Sequence, residues 1–152
     1  MSFPTTPEAL IPHLDVNADT GPFVYAVSQM PPGKNYMAEG ARCSWPEFLR
    51  IWGETTKVAT KYQEITLDQF IEASPDKEFG REAGDMFLYS SNPGYDGGDS
   101  SILKPEDIRK VTKQSMCAPC SANWFPQAGI ECPMTSVKEY MGGQDWSSVL
   151  NQ

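Results

Sequence analysis

Strong helix-start signals recur along the chain and limit it to a helix-dominated fold. Ser44-Trp45-Pro46-Glu47 and Thr66-Leu67-Asp68-Gln69 each place a hydroxyl three residues before Glu or Gln, which is the pattern of a capping box. Ser136-Val137-Lys138-Glu139 repeats it near the end of the chain. Residues 57–65 are rich in β-branched and aromatic side chains and form the best candidate strand. The patterns therefore predict an α/β chain with many short helices and two or three short strands.

The predicted element boundaries follow from caps and breakers. Residues 1–18 lack a clear pattern, and Asp19 or Thr20 is expected to cap a helix that stops before Pro31. A short strand is expected over residues 35–39, and the helix after Ser44 is expected to end at Gly53.

Five further helices are predicted from Thr66 onward. One runs from Thr66 to Ser74, and others begin near residues 104 and 136 and at Asp145. The helix over residues 76–90 repeats apolar or small side chains at helical spacing, at Phe79, Ala83, Met86, Phe87 and Ser90.

Length and charge exclude several classes of protein. With 152 residues the chain is one domain at most, and its net charge of -8 argues against binding to nucleic acid, which needs a basic face. No apolar run approaches the ~20 residues of a membrane helix, and the first residues lack the features of a signal peptide. We therefore expect an intracellular protein, cytoplasmic or nuclear, whose four cysteines are free thiols.

Four stretches together resemble the C-terminal region of fungal NmrA-like proteins, which are atypical members of the short-chain dehydrogenase superfamily. They are Asp19-Thr20-Gly21-Pro22-Phe23-Val24, Cys43-Ser44-Trp45-Pro46-Glu47-Phe48, Phe79-Gly80-Arg81-Glu82 with Asp85-Met86-Phe87, and Gly94-Tyr95-Asp96-Gly97-Gly98. The resemblance runs from about residue 12 to 110 and resumes at Ala128. It implies an incomplete Rossmann-like α/β protein. Residues 1–152 would be a single partial domain, namely the C-terminal, helix-rich portion on the substrate side.

The resemblance also implies that the dinucleotide-binding half is missing, so that this chain is a truncated product. In a family member the strands would add to the edge of a parallel sheet built by that half. Alone, they would leave an open edge through which the chain self-associates.

Residues 111–127 interrupt the resemblance and show neither helical nor strand periodicity. Removing them joins Lys110 to Ala128 in what looks like the continuous family pattern. Because valine codons begin with GT and one glutamine codon is CAG, we interpret the segment as an unstructured insertion translated from a retained intron. The alternative is an ordinary loop, although structureless loops of this length are uncommon in compact domains.

No catalytic, cofactor-binding or metal site is expected in this chain. The fourth residue after each tyrosine from Tyr25 to Tyr95 is not lysine, so the superfamily's catalytic pair is absent there, and no glycine-rich turn follows a strand to hold a pyrophosphate. The loop at residues 94–99 is expected either to serve structure alone, with glycines that allow positive φ and Tyr95 packed as an anchor, or to place Tyr95 in the substrate-side cleft of the intact protein. Phe23 is the second candidate for that cleft.

Two motifs with metal or redox spacing have weaker support. Cys117 and Cys120 have the spacing of a redox pair but lack a preceding thioredoxin-like strand, and a zinc site would need two more close ligands. The stretch from Asp15 to Gly21 resembles a calcium loop, but it has Thr20 where glycine is needed and Ala26 where a bidentate glutamate is needed.

The resemblance implies a function for the intact protein. NmrA-like proteins bind or sense NAD(P), and some are negative transcriptional regulators that contact GATA-type activators. We therefore expect an NAD(P)-sensing regulatory protein without classical dehydrogenase catalysis, with NAD(P) bound only by a full-length form and a basic protein partner such as a GATA-type transcription factor. The alternatives are an NAD(P)-dependent oxidoreductase of the same family and a free-standing acidic protein-interaction module.

Overall fold

The computed structural model describes residues 1–110 and 131–150. These residues form seven helices and four short strands, and helix accounts for about 49% of them. In chain order the elements are β1 Ser2–Phe3, β2 Ile11–His13, α1 Val16–Ser28, β3 Ala41–Cys43, α2 Trp45–Thr56, β4 Gln63–Glu64, α3 Leu67–Ala73, α4 Lys77–Ser91, α5 Pro105–Lys110, α6 Val137–Gly143 and α7 Ser147–Leu150. The predicted mixed α/β class dominated by helices is confirmed.

The strands form two separate pairs. β1 lies parallel to β4, with Ser2 opposite Gln63 and Phe3 opposite Glu64, and β2 pairs with β3. The amide of Gln63 donates to the Met1 carbonyl at 3.0 Å, which fixes the register of the parallel pair. Parallel pairing over some sixty residues of sequence needs a crossover connection, as in α/β proteins generally.

The predictions for the strands were wrong in extent. Only Gln63–Glu64 of the expected strand at residues 57–65 is extended and paired, because Lys57 ends α2 in a left-handed conformation with φ 63° and the chain must turn there. Residues 35–39 contribute a single bridge between Tyr36 and Leu103. Residues 1–18, predicted as irregular, contain β1, β2 and the start of α1.

Most of the predicted helix caps are confirmed. Ser44 and Thr66 accept from the amides of the third residue after each, and the capping boxes at Thr66 and Ser136 are complete in both directions. Two details were wrong. The cap of α1 is Asp15 rather than Asp19 or Thr20, and α2 passes through Gly53 because Val58 returns over that glycine, its carbonyl 2.7 Å from where a Cβ would lie.

The chain divides into two compact units that interleave in sequence, and residues 111–127 lie outside the part that the structure describes. Unit 1 comprises Met1–His13, Arg42–Gly98 and Ser136–Gln152, and unit 2 comprises Leu14–Ala41 and Asp99–Thr135. That the chain is a single partial domain, and that residues 111–127 are an unstructured insertion, both stay predictions.

Unit 1 is organised around aromatic rings. Phe3 lies 4.7 Å from Trp45 and 4.4 Å from Phe87, measured between ring centroids, and Phe87 in turn meets Phe70 edge-on at 5.6 Å. Aromatic pairs at these separations add to the free energy gained by burying their area. The cluster therefore joins β1, α2, α3 and α4 in one core.

The buried face of α4 agrees only in part with the one that its apolar spacing predicts, since Ser90 is buried and Phe87 packs in the aromatic core. Gly80, Gly84 and Ser90 are buried, whereas Phe79 and Met86 are 66% and 48% exposed. The two glycines allow α3 to approach closely, since a Cβ at Gly84 would lie 2.4 Å from Leu67 Cδ1. Close helix packing through glycine thus turns the large apolar residues outward.

Unit 2 has a smaller core of its own. Phe23 and Ala26 of α1 pack with Ile108 of α5 and with Cys132. The guanidinium of Arg109 donates twice to the Cys132 carbonyl, at 2.9 and 2.7 Å, so the segment after residue 130 is tied to α5.

Among the described helices, none combines the length and the apolar character that a membrane crossing requires.

Candidate functional site

The loop after α4 is a tightly hydrogen-bonded turn in which glycines have the predicted positive φ. Gly94, Gly97 and Gly98 have φ of 104°, 62° and 75°, which side chains other than glycine rarely adopt. The Gly94 amide donates to the Tyr89 carbonyl at 2.9 Å, and the Gly97 amide donates to the Gly94 carbonyl at 2.9 Å. The loop therefore folds back on the last turn of α4.

Asp96 anchors this loop to its surroundings. Its carboxylate accepts from the Gly98 amide at 3.1 Å and lies 3.9 Å from the guanidinium of Arg42. Tyr95, the residue before Asp96, is 49% exposed. A fixed backbone with an exposed aromatic side chain is suited to contact a ligand or a partner, and the substrate-cleft role of Tyr95 stays a prediction.

Phe23, the second cleft candidate, is a core residue. Its side chain is 7% exposed and packs with Ala26, Ile108 and Cys132 in unit 2, whereas Tyr95 belongs to unit 1. Packing in this core is sufficient to explain why residue 23 is apolar. Its part in a substrate cleft stays a prediction.

Asp19 has a structural role that the sequence patterns did not indicate. The carboxylate is buried and accepts from both the amide and the hydroxyl of Thr135, at 2.8 and 2.7 Å. Asp15 instead caps α1, accepting from the amides of Asn17 and Ala18. Both acids of the sequence that resembles a calcium loop are therefore engaged with the protein itself.

The single histidine lies among aromatic rings. His13 stacks on Phe48 with ring centroids 4.9 Å apart and meets Trp45 edge-on at 5.5 Å. Burial lowers the pKa of His13, and a hydrogen bond with the Cys43 backbone only partly opposes this. Within the described residues, the buried Nε2 of His13 has no hydrogen-bond partner.

The described cysteines are not activated. Burial, reinforced by the negative charge of Glu47, raises the pKa of Cys43 to about 11, and burial also raises the pKa of Cys132. Both are free thiols, as predicted, and a protonated thiol is a poor nucleophile and ligand. Cys117 and Cys120 lie outside the described residues. Across 1–110 and 131–150, no three His, Cys, Asp or Glu side chains come together as metal ligands.

A groove of about 540 Å³ lies in unit 1 at the ends of β1 and β4. Its walls include Pro4, Ile65, Leu67 and Leu88, with Glu64 as its charged side chain. The negative charge of Glu64 would repel a pyrophosphate placed in this groove.

The exposed face of α1 carries no charged residue. Eight of the thirteen residues of α1 are exposed, and all are neutral: Val16, Asn17, Ala18, Thr20, Gly21, Val24, Tyr25 and Ser28. Val24 and Tyr25 are 59% and 69% exposed. The one charged residue of the helix, Asp19, faces inward. A surface helix ordinarily exposes charged and polar residues, and the exposed face of α1 has polar residues but no charged ones.

Comparisons with protein-family models, with curated proteins and with solved structures find no match to this chain.

Proposed function

We propose that this chain is the substrate-side portion of an NmrA-like protein and docks onto a dinucleotide-binding half through the outer face of α1. The intact protein would sense NAD(P) inside the cell and act in regulation, with a basic protein such as a GATA-type transcription factor as its target. The chain itself would neither bind the cofactor nor transfer hydride.

The uncharged outer face of α1 is the observation that carries the proposal. Helices that stay in water expose charged residues, as α2 does with Arg50 and Glu54, which form an ion pair. α1 instead exposes Val24, Tyr25 and the small residues Ala18 and Gly21. Apolar and small residues let another helix or sheet approach closely. An α/β half that presents an apolar face would complement this uncharged face of α1.

Two further observations agree with this proposal. The parallel pairing of β1 with β4 is the arrangement of α/β proteins, and an open edge beside β4 gives the chain a second surface for self-association. The tyrosines Tyr25, Tyr36, Tyr62, Tyr89 and Tyr95 all lack a lysine four residues later, which supports a role without classical dehydrogenase catalysis.

The proposal is tested by reconstituting the two halves. A fungal NmrA-like protein is expressed without its own substrate-side portion, and this chain is added to it. We expect a one-to-one complex in sedimentation velocity, and NADP binding measured by calorimetry for the complex but not for this chain alone. Val24→Glu should abolish the complex, because it places a charge on the docking face. Phe79→Glu, at a similarly exposed apolar position on α4, should leave it intact.

Three outcomes would count against the proposal. Micromolar NADP binding by the isolated chain would show that it carries its own cofactor site. A complex that tolerates Val24→Glu as well as Phe79→Glu would remove α1 from the interface. Turnover of NADPH by the complex would favour the oxidoreductase alternative.

A further inference from the structure

Three large apolar side chains and three carboxylates share one exposed face of α4, which we call the α4 surface. Phe79, Glu82, Met86 and Tyr89 follow each other at intervals of three or four residues, and Glu78 and Asp85 lie beside them on the same side of the helix. All six side chains are exposed. The surface belongs wholly to unit 1.

The apolar residues of this surface do not pack in the core. α4 meets α3 through Gly80 and Gly84, on the opposite side of the helix, and Phe87 supplies the aromatic contact with Phe3 and Phe70. Phe79, Met86 and Tyr89 therefore remain in water, where exposed apolar patches of this kind mark interaction sites. The hydroxyl of Tyr89 lies near Gly97, since a Cβ there would be 3.4 Å from it.

The carboxylates of the α4 surface are also available. Within residues 1–110 and 131–150, Glu78, Glu82 and Asp85 form no ion pair, and the nearby Lys77 pairs with Glu72 instead. Arg81 lies at the border of the surface. Three unpaired acids beside three apolar side chains form a negatively charged, partly apolar strip along three turns of the helix.

We propose that the α4 surface binds a basic amphipathic helix of a partner protein. Such a helix places leucine-like side chains on one face and lysine or arginine beside them, which matches the apolar and acidic halves of this strip. A second copy of this chain would bring like charges together, and an anionic membrane or nucleic acid would be repelled. The inference deepens the protein-binding part of the proposed function and rests on it, but it uses a different helix from α1.

The probe is a fluorescein-labelled synthetic peptide of leucine and lysine, about five helical turns long, with leucines at helical spacing. Binding to the full chain is followed by fluorescence anisotropy. A peptide with glutamate in place of lysine, and a scrambled leucine–lysine peptide that cannot form an amphipathic helix, serve as ligand controls. We expect the basic amphipathic peptide alone to bind, and its affinity to fall as salt is raised.

Matched variants locate the binding surface. Glu78→Gln/Glu82→Gln/Asp85→Asn should weaken binding by about tenfold, a few-fold for each exposed pair lost. The control Glu8→Gln/Glu64→Gln/Glu131→Gln changes net charge equally at exposed sites elsewhere and should leave binding unchanged.

The apolar half of the surface is tested in the same way. Phe79→Ser/Met86→Ser should weaken peptide binding, whereas Tyr25→Ser on α1, an equally exposed position, should not. Because α1 variants affect the reconstituted complex and α4 variants affect peptide binding, failure of this proposal is distinguishable from failure of the proposed function.

Three results would overturn the proposal. Equal weakening by both charge-neutralised triple variants would show that binding follows net charge alone. Binding of the scrambled peptide as tightly as the amphipathic one would exclude recognition of a helix face. A concentration-dependent dimer that is lost in Phe79→Ser/Met86→Ser would assign the surface to a second copy of the chain.

Discussion

Replacing Gly80 with alanine is expected to destabilise the protein even though alanine is the better helix former. A Cβ at this position would lie 2.7 Å from both Cβ and Oγ of Ser74 and 3.3 Å from Ile71 Cα. Ser74 cannot retreat easily, because its hydroxyl donates to the Phe70 carbonyl at 2.9 Å and its residue ends α3. The methyl group must therefore push α3 and α4 apart.

The expected magnitude is a balance of two opposing effects. Alanine stabilises a helix interior by about 1 kcal/mol relative to glycine. Overpacking a close contact costs about 1–3 kcal/mol, and separating the helices also loosens the contact of Phe70 with Phe87, whose centroids are 5.6 Å apart. We expect a net loss of about 1–2 kcal/mol in the free energy of unfolding.

Gly142→Ala supplies the matched control, since no atom lies within 4 Å of a Cβ at that position of α6. Only the helix propensity acts there, so the variant should gain about 0.5–1 kcal/mol. Urea unfolding followed by circular dichroism measures both variants against the unmodified chain. If Gly80→Ala were as stabilising as Gly142→Ala, the close approach of α3 to α4 would be refuted.

Three further predictions concern caps, a buried carboxylate and pH. Thr66→Ala should lower the free energy of unfolding by about 1 kcal/mol in urea titration, because the capping box loses its acceptor. Asp19→Ala should cost about 1–3 kcal/mol and release the segment around Thr135 to proteolysis, since both donors of Thr135 lose their buried partner. The folded pKa of His13 lies below its unfolded value of 6.5, so the unfolded chain takes up the proton first. Stability should be constant above about pH 6.5 and fall as pH drops below it. His13→Phe should remove that dependence between about pH 7.5 and 5.5, which is roughly one pH unit on either side of the ordinary histidine pKa.

The sequence predicts local features of this fold well, because their causes lie within a few residues of each other. The capping boxes at Thr66 and Ser136 each involve a hydroxyl and a side chain three residues apart. The positive φ of Gly94 and Gly97 likewise follows from glycine in a tight turn.

Features that depend on distant partners were not predictable in this way. Asp19 has the composition of a helix cap, but Thr135, 116 residues away, makes it a buried acceptor. The apolar spacing of α4 suggests that Phe79 and Met86 are buried, yet the approach of α3 over Gly80 and Gly84 decides which face is covered.

The candidate site shows the same division. The glycine turn was predictable, but the packing of Tyr95 as an anchor was wrong, since its side chain is 49% exposed. The core position of Phe23 depends on α5 and on Cys132. The neutral outer face of α1 likewise depends on distant partners, because the packing of Phe23 and Ala26 against Ile108 and Cys132 decides which residues face outward.

Hydrogen exchange of α1 tests the central claim most directly. The chain is incubated in deuterated buffer alone and with the dinucleotide-binding half of a fungal NmrA-like protein, and peptides covering Val16–Ser28 are analysed by mass spectrometry. We expect the amides of α1 to become strongly protected when the half is present, while those of the α4 surface exchange as before. If protection of α1 were unchanged by the added half, the docking function proposed for this chain would be contradicted.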